Sequence, residues 1–103
     1  MIRHIVMWKL KDEAAGATKE KNAEKLKLIL EGLRTNIEEI KAVEVGIQTT
    51  EGEDEGFDVV LICDFETKLD FKMYTRNPHH KKAIDFIDKV AEKRIFVDYN
   101  VDL

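Results

Sequence analysis

The segment FDVVLICDFE, residues 57–66, constrains the fold more than any other part of the chain. Read as a strand, it places Phe57, Val59, Leu61, Cys63 and Phe65 on one face and Val60 and Ile62 on the other. A strand that is apolar on both faces must be covered on both. The chain has 103 residues, read as one domain over 1–103. A domain of that size buries only about 65% of the surface its unfolded chain exposes. One cover has to come from the chain's own helices, and the other needs a further source.

The rest of the pattern supplies the neighbours. Residues 2–10 alternate as a strand, with Ile2, His4, Val6, Trp8 and Leu10 on one face and Arg3, Ile5, Met7 and Lys9 on the other. The stretch KDEAAGA reads as a loop. Thr18 is suited to cap a helix from about residue 19 to 35, with Leu26, Ile29, Leu30 and Leu33 on one stripe. Gly32 interrupts that helix at a cost of about 1 kcal/mol relative to alanine, so either the helix tolerates it or a neighbour packs close. A second strand is expected over 43–50, an acidic turn over 51–56, and the third strand over 57–66. A short helical turn falls within TKLDFKMYTRN. Pro78 opens a helix to about residue 93, and RIFVDYNV, 94–101, forms the last strand.

The order β-α-β-β-α-β is the split βαβ arrangement of ferredoxin-like α+β domains with an antiparallel sheet. Two helices cover one face of a four-stranded sheet and no more. The expectation is that Val6, Trp8, Val59, Leu61 and Phe65 lie on the uncovered face. An apolar patch of that kind marks an interaction surface. A second copy related by a two-fold axis is the simplest cover. The protein is therefore expected to form a homodimer, sheet against sheet. A small apolar ligand would be held between the sheets and lined by Val6, Trp8, Val59 and Leu61.

Composition excludes several classes. The net charge is −4, with charges of both signs interleaved and no clustered basic stripe, so nucleic acid is not an expected partner. No apolar run is long enough to span a bilayer, and the N-terminal stretch does not read as a signal peptide. The single Cys63 forms no internal disulfide, and a cytoplasmic location is the default. The chain contains no serine, which removes serine-nucleophile hydrolysis. No phosphate-cradling glycine motif is present. The acidic run Glu51, Glu53, Asp54 and Glu55 lacks EF-hand spacing and reads as a solvated hairpin tip.

The blocks HIVMWKLKDE, VEVG, GFDVVLICDFE, YTRNPHHKKAIDFI and FVDY, taken in order, resemble the Dabb family of stress-responsive dimeric alpha-beta barrel proteins. The likeness covers essentially the whole chain. It implies a ferredoxin-like fold dimerised into an α+β barrel. The family's best understood branch includes a plant polyketide cyclase, which closes a ring by intramolecular aldol chemistry without a cofactor. There a Y-x-x-H-P-x-H motif supplies the base. Tyr74, Pro78 and His80 match its tyrosine, proline and last histidine, and His4 matches a further pocket histidine. The motif's earlier histidine is Asn77 here, a third-strand pocket histidine aligns with Val59, and a Pro-Gly step after the first helix is Glu38-Glu39.

The residues themselves narrow the site. On a helix starting at Pro78, His80 shares a face with Ile84, Ile87 and Ala91 and points toward the sheet. The helix N-terminus and partial burial both disfavour its charged form, leaving a neutral imidazole able to accept a proton. The alternative is a helix-start histidine bonded to a backbone group. His79 lies about 100° away and reads as a bystander, and adjacent histidines do not converge on zinc, so no metal is expected. Asn77-Pro78 is a good helix start whatever the function. His4 is a polar group in an apolar wall, needing Tyr74 or a ligand as partner, or else a strand end touching water. Cys63 reads as a small buried hydrophobe.

Three functions follow: a cofactor-free cyclase or lyase with His80 as base and Tyr74 and His4 orienting substrate; a non-catalytic ligand-binding or stress-tolerance dimer; and, more remotely, an antibiotic-biosynthesis-type monooxygenase.

Overall fold

The computed structural model describes residues 1–50 and 56–101. The elements run β1 (Ile2–Leu10), β2 (Glu13–Ala14), β3 (Ala17–Thr18), α1 (Lys19–Asn36), β4 (Ile40–Ile47), β5 (Val59–Phe65), α2 (Lys68–Arg76), α3 (Pro78–Val90) and β6 (Ala91–Asn100). Strands β4-β5-β1-β6 form one sheet, and every neighbouring pair is antiparallel. The fold is ferredoxin-like, as the element order implies. The acidic turn expected over 51–56 lies, apart from Gly56, outside the described residues.

Local chemistry explains most boundaries. The Thr18 hydroxyl accepts the Lys21 amide, opening α1. Asn22, Ala23, Leu26, Leu30 and Leu33 form its buried stripe, with Ile29 at the margin. The expected loop KDEAAGA is a miniature hairpin, β2 with β3. Ala15 and Gly16 both have positive φ, the backbone a two-residue primed turn requires. The buried Asn22 ties the hairpin to α1 by donating to the carbonyls of Ala14 and Ala17.

The expected helical turn after β5 is a nine-residue helix, α2, capped by the Thr67 hydroxyl on the Asp70 amide. Helix α3 stops at Val90, short of residue 93, and β6 starts at Ala91. Antiparallel pairing of Lys9 with Lys93 and Leu10 with Ala91 holds Ala91, Glu92 and Lys93 extended, against their helical preference. Strand β4 begins and ends three residues before the expected 43–50, in register from Ile40 opposite Phe65 to Ile47 opposite Val59.

The assignment of sheet faces is corrected. Val6, Trp8, Val59 and Leu61 are 1, 2, 2 and 1% exposed, and Phe65 is fully buried. They form the core beneath the helices, together with Leu26, Leu30 and Ile87. They do not line a space between two sheets. The uncovered face carries Ile5, Met7, Val60 and Ile62, half-buried, and Ile95, Val97 and Tyr99, 47, 53 and 43% exposed. Arg3 and Asp64 sit on the same open face in a bidentate ion pair, Nε to Oδ1 at 2.8 Å and Nη2 to Oδ2 at 3.1 Å. Both faces of β1 and β5 are apolar, so alternation left the choice open. The more uniformly apolar face, Val59, Leu61, Cys63 and Phe65, went under the helices, where burial is complete.

Candidate functional site

Turning the sheet over moves the candidate site with it. His4 points to the helix side, as do Val6 and Trp8, so the place where it meets other groups lies within one chain. Its ring is 6.4 Å from that of Tyr74 and 5.0 Å from that of Phe71, both on α2. Tyr74 in turn lies 4.4 Å from His80 on α3. Phe65 closes the cluster from below, 4.9 Å from Tyr74 and 5.3 Å from Phe71.

The corner between α2 and α3 brings Tyr74 to His80, and Asn77 makes that corner. Its backbone amide donates to the Tyr74 carbonyl at 3.1 Å, ending α2. Its side chain accepts the His79 amide at 2.9 Å, starting α3, with Pro78 as the first helical residue. One residue caps both helices. The last turn of the first and the first turn of the second are therefore held together. His79 itself is exposed, its ring Nδ1 beside the Asn77 side-chain Oδ1 at 3.2 Å.

His80 is half-buried and donates its Nδ1–H to the Thr75 carbonyl at 3.3 Å. That bond fixes the tautomer and leaves the Nε2 lone pair available. Burial lowers the His80 pKa below its ordinary value. The Thr75 carbonyl opposes the shift, and the charges of His4 and Arg94 add to it. Both sequence-stated roles for His80, the backbone bond and the neutral base, are thus compatible in one geometry.

Burial holds the Tyr74 pKa well above the usual phenol range, with the neighbouring Cys63 adding to the shift and Arg94 opposing it. Tyr74 is a proton-bearing donor at neutral pH, and among the described residues its hydroxyl has no hydrogen-bond partner. Cys63 is fully buried, and burial, then the Asp64 charge, pushes its thiol up to about 12. It is an inert part of the core.

Two contributors were not named from sequence. Asp98 on β6 is the register partner of His4, and its carboxylate accepts the His4 Nδ1–H. Phe96 faces the same way, its ring 6.3 Å from His4. The FVDY block contains both, but only strand register sets Asp98 opposite His4. Two surface hollows, one of about 830 Å³ between β1, α1 and β4 and one of about 710 Å³ behind the α2–α3 corner, take in none of His4, Tyr74 and His80. The side of the cluster left without a helix is β6, exposed from Glu92 to Asn100. Among the described residues no three His, Cys, Asp or Glu side chains converge as a metal donor set. Among the described residues no helix is long and apolar enough to cross a membrane.

The sequence profile of the stress responsive A/B barrel domain matches residues 2–101. The chain belongs to this family, Dabb. Among solved structures, a dimeric ferredoxin-like protein of unknown function from Bacteroides fragilis is 29% identical, with 97% of this chain and 95% of that one covered and a TM-score of 0.82. An Arabidopsis thaliana protein is 25% identical, with 100% and 97% covered and a TM-score of 0.79. A Passiflora edulis hydroxynitrile lyase shares the fold at 19% identity, with 98% and 93% covered and a TM-score of 0.79. No curated protein matches the chain significantly. For this Dabb chain, then, family and fold are fixed.

Proposed function

We propose that the protein works as a homodimer with a small-molecule site in each copy, and that His80 is the general base of a cofactor-free, aldol- or lyase-type reaction there. The dimer rests on the open sheet face. Ile95, Val97 and Tyr99 are exposed beside Ile5, Met7, Val60 and Ile62, an apolar surface that a second sheet would cover. The Bacteroides fragilis protein of the same fold is a dimer. Unlike the arrangement expected from sequence, the ligand site lies between sheet and helices rather than between the two sheets.

The observation that carries the chemistry is the state of His80. It is neutral by burial, with Nδ1–H engaged by Thr75 and Nε2 free, beside a tyrosine that keeps its proton. In the proposed step, Nε2 takes the proton from a carbon between two carbonyls. The electron pair passes to the adjacent carbonyl as an enolate, and the Tyr74 hydroxyl donates a hydrogen bond to the developing oxyanion. The enolate carbon then bonds to a second carbonyl carbon of the same molecule, and His80 returns its proton to the resulting alkoxide. His4, held through Nδ1 by Asp98, orients the substrate from the strand side.

The test follows deuterium uptake at the activated carbon of methyl acetoacetate in D2O by NMR. Wild type should accelerate uptake, and a folded His80→Ala variant should return it to the buffer rate. Absence of acceleration by wild type, or full acceleration by His80→Ala, would defeat the base assignment. The ring-to-ring packing of His4, Phe71, Tyr74 and His80 favours a second reading, a dimer that binds its ligand without turnover. That reading expects binding but no uptake.

A further inference from the structure

We propose that Arg94 anchors an anionic group, so that the ligand of this site is a small organic acid with an apolar or aromatic body. The inference rests on the site reading above and adds the class of molecule it takes. Arg94 lies on β6, opposite Trp8 in register, on the same strand face as Phe96 and Asp98. No helix covers this part of the sheet, and Arg94 and Phe96 are exposed. The guanidinium stacks over the Phe96 ring at 4.7 Å, and Phe96 lies beside His4. A flat cation resting on an aromatic ring is held in place with its donor edge free.

Three donors on this side of the sheet have no acceptor. Among the described residues no carboxylate forms an ion pair with Arg94, and the carboxylate nearest the cluster, Asp98, is already engaged by His4. The Tyr74 hydroxyl has no partner. The Trp8 Nε1–H, on a residue only 2% exposed, is the one fully buried side-chain polar atom without a hydrogen bond among the described residues. Buried donors are as a rule satisfied. An unpaired cation stacked on Phe96 and a free phenol, on rings that both flank His4, call for an acceptor-rich, negatively charged guest. Arg94 also bears on both functional side chains, since its charge depresses the pKa of Tyr74 and of His80 alike. A carboxylate forms two parallel hydrogen bonds with such a guanidinium. The guest's apolar body would then lie on Phe96, toward His4 and Tyr74.

The test uses two probes of nearly equal shape, phenylbutyrate and its neutral amide. Each is titrated into the dimer while following the fluorescence of Trp8, the only tryptophan, and the NMR shifts of the His80 ring. Phenylbutyrate should bind about tenfold more tightly than the amide, the scale of one well-placed charge contact. Arg94→Gln should bring the acid down to the amide, and Arg94→Lys should restore part of the difference. Equal affinities in wild type, no binding of either probe, or an unchanged gap in Arg94→Gln would each overturn the assignment. A protein with no base chemistry in the deuterium test still reports on this gap, so failure of one proposal is separable from failure of the other.

Discussion

His79 and His80 are adjacent, yet one is exposed and the other half-buried against Tyr74. The difference follows from helix phase, since successive residues are rotated by about 100°. The neutral bias of His80 has a consequence for pH. Its folded pKa lies below 6.5, from burial first, with the Thr75 carbonyl opposing and electrostatic interaction with His4 and Arg94 adding to the shift. Between the folded and unfolded values the unfolded chain binds more protons, so stability rises with pH there and falls on acidification. Replacing His80 with Gln should flatten this part of the stability profile, measured as denaturation midpoints below pH 6.5. An unchanged slope would place the titration elsewhere. For turnover, the same shift extends base activity to lower pH than an ordinary histidine allows, so the acid limb of kcat/KM should fall below 6.5.

At the scale of elements, Asn77 matters more than its neighbours' chemistry suggests. It closes α2 and opens α3, and so sets the distance from Tyr74 to His80. Asn77→Ala should cost about 1 kcal/mol of stability from the lost cap. It should also lower activity through a loosened corner, with Asn77→Asp, which keeps the cap, restoring both. Gly32 presents the opposite case. A Cβ there would meet nothing within 4 Å, so the helix merely tolerates glycine. Gly32→Ala should stabilise the protein by about 1 kcal/mol in a urea titration. A loss instead would show that the helix surface is in use.

At the scale of the molecule, the two faces of the sheet respond differently to charge. Val97→Glu falls on the open face and should convert the dimer into a folded monomer, seen by light scattering with an unchanged circular dichroism spectrum. A dimer that survives Val97→Glu and Ile95→Glu together would place the interface elsewhere. Leu61 belongs to the core, 1% exposed. Leu61→Ala should cost about 2–5 kcal/mol, and Leu61→Glu should prevent folding rather than yield a monomer.

The sequence by itself determined the four long strands, the two long capped helices, their order and hence the ferredoxin-like class, because periodicity and capping are local. Helix phase likewise chose His80 over His79. Local rules did not reveal which face of a doubly apolar sheet the helices take. For that reason Val6, Trp8, Val59 and Leu61 were expected between two sheets and lie instead in the core of one chain. Tertiary pairing also set the residues that no spacing connects. Asp98 reaches His4 across 94 positions because β6 runs antiparallel to β1, and the same register puts Arg94 and Phe96 at the uncovered margin of the site. Long-range register and the handed placement of helices on a sheet are properties of the assembled chain, and only the tertiary structure decided them.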